Sequence, residues 1–294
     1  MTRSPMTMKT RTFFLAALLS TGTLRAEDGK TFSTHTGAAG VVQQSRQEVE
    51  DIGEINESEG VSKWRVNVST RGQYTSNAIL SGNHGNGDFL FLPTVEVGYH
   101  TPLGKHFSFD LAGKIEAAIL ADHQDRSFMG YSAVATLDYT YKPGVPRAYV
   151  SLEPYRYDGF DSGELATEAI GFTGGLDWGH GFNAGRSVVF VGTSYSYYLA
   201  DPSIDSRTTL RGVIGLAHQL RSNLTAQAYY AYQYSDYTDF GRQDSRHVLA
   251  ANLLYQFREH FFGSINVSWV NNESSQDHAS YQGVSAGLGL TLQY

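Results

Sequence analysis

SAGLGLTLQY, residues 285–294, alternates residue by residue. Ala286, Leu288, Leu290, Leu292 and Tyr294 share one parity, and Ser285, Gly287, Gly289, Thr291 and Gln293 share the other. A period of two excludes an amphipathic helix, whose apolar residues recur every 3.6 positions, and specifies a strand with unlike faces. One face is apolar enough for lipid; the other is small and polar enough for water.

Similar segments recur from Lys63 onward. Strands are expected at 63–77, 88–100, 106–121, 128–141, 147–158, 167–179, 186–199, 207–220, 224–235, 245–257, 261–270 and 282–294. That is about twelve strands at roughly nineteen residues per strand and connection, which fits about ten membrane-embedded residues each. Short turns at 102–105, 143–146, 221–223 and 258–260 take turns with longer polar tips at 81–87, 159–166, 201–206, 236–244 and 271–281.

The chain begins with Lys9 and Arg11, an apolar run 13–19 and a small-residue site ending at Ala26. This reads as a secretory signal over 1–26, too short to span a bilayer. No later stretch approaches the roughly 20 apolar residues of a transmembrane helix. A membrane protein without such helices must be a closed barrel, because lipid leaves no other way to satisfy the backbone. Cysteine is absent, which removes disulfide and thiol chemistry. The formal charge is −7, and loss of four cations with the signal takes it to −11, against nucleic acid as a partner. Residues 27–62 differ in kind: small and polar, then acidic over Glu48, Glu50, Asp51, Glu54, Glu57 and Glu59. They read as a flexible periplasmic extension, with a lumen-docking helix built on Val42, Val49, Ile52 and Ile55 as the alternative.

The alternating final segment with its aromatic last residue resembles the closing strand of Gram-negative outer-membrane β-barrel proteins, of a small porin-like class. Tyr294 stands where phenylalanine is commoner. The resemblance covers residues 63–294. It implies an all-β fold, an antiparallel up-and-down transmembrane β-barrel, in the outer membrane. It also implies contact with outer-membrane lipids and lipopolysaccharide, and insertion by the barrel-assembly machinery, which would read Leu288, Leu290, Leu292 and Tyr294. No cofactor is implied. Short turns then lie in the periplasm and long loops outside. Two aromatic belts are expected. Tyr99, Tyr139, Tyr141, Trp178, Tyr255, Phe257 and Tyr294 form the periplasmic one. Phe89, Phe128, Tyr131, Tyr281, Tyr197, Tyr234 and Trp269 form the outer one.

Charges facing lipid cost about 2–4 kcal/mol at the midplane, so the strand charges should line the lumen. By parity these are Arg65, Arg71, Glu96, His100, Asp110, Lys114, Glu116, Asp138, Glu153, Asp177, Arg207, Arg211, Arg246 and Arg258. The two signs nearly balance, giving no basis for ion selectivity. Barrels of eight strands are filled and those of sixteen hold open channels, so about twelve falls between. The expected function is passive diffusion of small solutes through a porin-like channel. A closed structural or surface-binding barrel is the alternative. A lipid-active enzyme and a passenger translocator rank lower. The loops are acidic but lack the spacing of a calcium loop, and His84, His123, His180, His260 and His278 lack metal-ligand spacing. Ser245 and His247 share a parity near the outer rim, without an orienting acid, so no catalytic residue is assigned.

Overall fold

A computed structural model describes residues 23–25, 31–33, 63–78, 87–142, 145–159, 165–183, 186–239 and 241–294. The expected signal and extension fall almost wholly outside the described residues, as do most of the 81–87 and 159–166 tips. Thr23–Arg25 (β1) and Thr31–Ser33 (β2) pair antiparallel as a separate two-stranded sheet.

Twelve strands close into one barrel, each antiparallel to its neighbours in chain order. They are Lys63–Thr75 (β3), Asp88–Pro102 (β4), Phe107–Leu120 (β5), Phe128–Tyr139 (β6), Arg147–Gly159 (β7), Leu165–Phe182 (β8), Ser187–Asp201 (β9), Arg207–Arg221 (β10), Leu224–Tyr237 (β11), Arg242–Arg258 (β12), Phe261–Ser274 (β13) and Tyr281–Gln293 (β14). The first and last barrel strands close the cylinder from Ser285 opposite Thr75 to Gln293 opposite Asn67, and Tyr294 exchanges two backbone hydrogen bonds with Val66. Closure leaves no open edge, which is what lipid requires of a sheet.

The strands run longer than expected, β12 and β13 at the loop side and β8 at both ends. Asp201, Asp236, Asp244 and Glu273, which fall in the expected tips, therefore lie on strands. Those ends stand above the hydrocarbon, where alternation of apolar residues is no longer needed and the sequence signal fades. Two outward-facing prolines interrupt the ladder. Leu92–Pro93 has no register partner in β5, and Glu153–Pro154 has none in β6. Proline lacks the N–H, and a barrel offers no edge on which to hide that loss.

The outer face is apolar: Ile115, Ile214, Leu249 and Leu288 are each more than half exposed. Rings gather at the short-turn end, where Trp64 meets Tyr99 at 4.9 Å, Phe107 meets Tyr139 at 4.9 Å and His260 stacks on Tyr294 at 5.2 Å. Two residues assigned to the outer belt are not there. Phe128 and Tyr281 take the inward parity and are buried. Each opens its strand, where alternation has no preceding residue to fix the phase.

Some inner glycines are seats for rings from the next strand. A Cβ on Gly215 would lie 2.6 Å from the Tyr229 Cβ and closer still to the Phe190 ring, which is fully buried. Gly215→Ala is expected to destabilise the folded barrel by about 1–3 kcal/mol through overpacking. Denaturant unfolding in detergent micelles, followed by the shift in electrophoretic mobility of the folded form, measures it.

Candidate functional site: the inner face of the barrel

Alternation places one residue of every pair inside, and the inner set is mainly polar. The expected lumen residues fall on this parity. Arg65, Arg71, Asp110, Lys114, Glu116, Asp138, Glu153, Arg207 and Arg246 are buried, while Glu96, His100, Asp177 and Arg211 are partly exposed. Arg258 ends β12 beyond a register shift and is exposed at the periplasmic turn.

At the periplasmic end six strands contribute one charge network. Arg65 lies 3.7 Å from Glu96 and 3.8 Å from Asp110, and the His100 Nδ1 lies 3.0 Å from Asp110. Arg147 bridges Asp138 at 3.4 Å and Asp177 at 3.1 Å. Higher up, Lys114 lies 3.2 Å from Glu116, whose carboxylate also accepts from the Tyr157 hydroxyl at 3.2 Å. Glu153 is buried beside both charges.

The charges are balanced in number but segregated in space. On β4–β8 the expected lumen set holds six carboxylates, Glu96, Asp110, Glu116, Asp138, Glu153 and Asp177, against Lys114 and His100; Arg147, outside that set, adds a second permanent cation. From β10 round to β3 it holds Arg65, Arg71, Arg207, Arg211, Arg246 and Arg258 and no acid. Sequence parity gave each face but not which strands stand opposite one another, so this polarity could not be read before the barrel was closed.

At the extracellular mouth the inner wall becomes aromatic. Phe128 packs on Tyr157 at 5.3 Å, Tyr157 on Tyr155 at 5.7 Å, and Tyr155 on Tyr198 at 6.5 Å. Arg207 then sits over Tyr198 at 4.8 Å and Tyr237 at 5.6 Å, and Arg242 over Tyr237 at 4.5 Å. Leu90, Leu92 and Leu120 join the rings. This collar was not anticipated. In Phe89-Leu90-Phe91-Leu92 both parities are apolar, and in Tyr155-Arg156-Tyr157-Asp158 the charged parity faces out above the hydrocarbon, so the pattern carries no sign of direction.

The rim is pinned by Asp88. Its carboxylate accepts from the backbone N–H groups of Phe89 (2.6 Å), Asp122 (3.0 Å) and His123 (3.1 Å) and lies 2.9 Å from the His123 ring nitrogen. Asp88→Ala is expected to cost about 1 kcal/mol, the low end for stranded donors because these are only part-buried. Faster protease cleavage between residues 121 and 127 of the folded protein would report it.

Ser245 and His247 do not meet. On the outer face His247 Nδ1 pairs with the Tyr230 hydroxyl at 2.7 Å, and Ser245 Oγ with the Tyr232 hydroxyl at 3.3 Å. Such hydroxyl and imidazole pairs suit the lipid interface.

A closed barrel with an apolar exterior, aromatic interfaces and a polar interior defines an integral outer-membrane β-barrel protein. Residues 203–294 match the family model described as "Putative beta-barrel porin 2". No curated protein matches the chain. Among solved structures, the chain is similar to the COG4313 outer membrane channel from Pseudomonas putida F1, at 8% identity and TM-score 0.56, over 81% of this chain and 97% of that one. It is also similar to the translocator domain of the autotransporter NalP from Neisseria meningitidis, at 14% identity and TM-score 0.50, over 87% and 97%. A third likeness is to the KdgM porin, at 12% identity and TM-score 0.46, over 77% and 98%. At these identities the first two likenesses show the fold and nothing further. The chain is an outer-membrane β-barrel of the Gram-negative type, and its porin likeness rests on residues 203–294.

Proposed function

We propose that the barrel is a narrow channel for passive diffusion of small polar solutes. The observation that carries this reading is the segregated inner face, with a carboxylate-rich wall on β4–β8 facing an arginine-rich wall from β10 to β3. Opposed walls set up a field across the lumen, and low-dielectric surroundings focus it. Such a field orients hydrated dipolar solutes and disfavours apolar ones, while the apolar exterior keeps the cylinder in lipid. In this reading the charged inner residues line the solute path. The β14 residues Leu288, Leu290, Leu292 and Tyr294 present the signal for the barrel-assembly machinery.

One observation favours a second reading, a barrel closed by its own side chains. Gln73, Tyr157 and Phe190 on the inner face are essentially inaccessible. Reconstitution into liposomes separates the two. The channel reading expects efflux of small entrapped sugars and amino acids from vesicles holding folded protein. Folded protein with no efflux and no conductance would reject it in favour of the closed barrel. A catalytic role is not favoured, because Ser245 and His247 are each engaged by a different tyrosine.

A further inference from the structure

Between the rim and the periplasmic turns, the inner positions of β10–β14 contain no carboxylate below Asp244. They contain arginines, amides and hydroxyls beside an apolar patch of Ala231, Val248, Ala250 and Val270 that Tyr229 adjoins. Arg211, Gln233 and Arg246 stand in one row across three adjacent strands, since Arg211 pairs with Gln233 and Gln233 with Arg246. Two inward positions below, Tyr229 projects from β11. Arg71, from β3, joins it from across the closure, so that all three arginines act electrostatically on the Tyr229 side chain. Tyr229 is 3% exposed, yet among the described residues its hydroxyl has no hydrogen-bond partner. The amide nitrogens of Gln227 and Gln73, beneath it on the same wall, are buried without a partner too.

A buried hydroxyl or amide without a partner costs about 1–3 kcal/mol, so a wall that keeps several is suited to a ligand that satisfies them. The orphaned groups on this wall include the amide oxygens of Gln73 and Asn252 as well as donors, and the charges around Tyr229 are positive. The complement is an acceptor-rich anion. Arg211 and Gln233 keep partial exposure on the inner face, so the site can be reached along the lumen.

We propose that the β10–β3 wall is a binding site for a small solute bearing an oxyanion, a carboxylate or phosphate, held by Arg71, Arg211 and Arg246 with Tyr229 donating to it. This rests on the channel reading and gives it a solute class. Guanidinium groups bind such oxygens through two parallel hydrogen bonds, which a hydrated chloride does not exploit.

The test uses the full chain in planar bilayers under a KCl gradient, with inorganic phosphate as the probe. Wild type should prefer anions, and phosphate should block its chloride current. Arg211→Gln with Arg246→Gln should abolish the preference and raise the half-blocking phosphate concentration about tenfold or more; Tyr229→Phe should raise it several-fold. Arg221→Gln, at an exposed periplasmic strand end, should change neither. A conducting wild type whose selectivity and phosphate block are unmoved by the double substitution overturns the site and leaves the channel standing. Should wild type not conduct, the channel reading falls. The site is then decided by the unfolding temperature of folded protein in detergent. A rise with phosphate in wild type, absent from the double variant, upholds it; no rise overturns it.

Discussion

Arg147→Ala is expected to lower the unfolding free energy of the barrel by about 3 kcal/mol, the lower end of the cost of breaking a buried ion pair from one side. The guanidinium stands between two carboxylates, 3.4 Å from Asp138 and 3.1 Å from Asp177, contributed by the strands on either side of β7. Its removal leaves both acids facing each other in the lumen with no cation between them. About a fifth of the Arg147 and Asp177 side chains remains exposed, which places the effect at the low end rather than the high. The loss belongs to the stranded acids and not to the arginine's own contacts. Adding Asp138→Asn and Asp177→Asn to the Arg147→Ala variant should therefore recover most of it, because a neutral set no longer carries a buried uncompensated charge. Urea unfolding in micelles measures all three proteins. Equal losses in the single and triple variants would show that packing, and not charge, is what Arg147 supplies.

Ile115→Arg is the second large effect, at about 2–4 kcal/mol for a cation on the lipid face near the midplane. Its neighbour makes the comparison sharp. Lys114 is native, buried on the inner face and 3.2 Å from Glu116, whereas Ile115, one residue along, is 52% exposed on the outer face. The same kind of charge is thus accepted at one position and costly at the next, because a step of one residue turns the side chain through the wall. The expected result in unfolding from lipid vesicles is a lower midpoint and reduced yield of folded protein. Tolerance equal to that of an Ile115→Ala variant would mean that this face does not meet hydrocarbon.

These expectations follow from features that differ in how readily the chain discloses them. Alternation around Lys114–Ile115, and from Ser285 to Tyr294, states which residues face lipid, because hydrocarbon imposes one sharp rule on every outward position. Turn lengths then gave the orientation, since short and long connections alternate between the two ends of a barrel. The limits of that reading are equally physical. Phe128 and Tyr281 sit at strand starts, where one more aromatic fits the belt or the lumen equally well. Tyr155 and Tyr157 lie where the outer face has risen out of the hydrocarbon and carries Arg156 and Asp158, so polarity no longer distinguishes inside from outside. The opposition of Arg211 and Arg246 to the acids of β4–β8 depends on closure, a relation between strands distant in the chain. Count and sign alone gave a balanced lumen; the arrangement gave a polarised one.

Pro93 and Pro154 lie at similar depths on β4 and β7, and each removes ladder partners on the side facing the β5–β6 hairpin. In an open sheet they would argue against central strands. In a closed barrel no strand is an edge, and the cost is a local gap bridged by the continuous ladders on the other side of each strand.

The account depends on one wall with two unlike faces, lipid outside and a polar lumen within. Spin labels on single cysteines at residues 248–253 of β12 test it most directly, since the native chain has no cysteine. In vesicles, collision with oxygen, which concentrates in lipid, should peak at Leu249, Ala251 and Leu253 and fall at Val248, Ala250 and Asn252, giving a period of two in phase with exposure. A profile with no such period, or with its peaks at 248, 250 and 252, would contradict the assignment of the faces and every conclusion drawn from it.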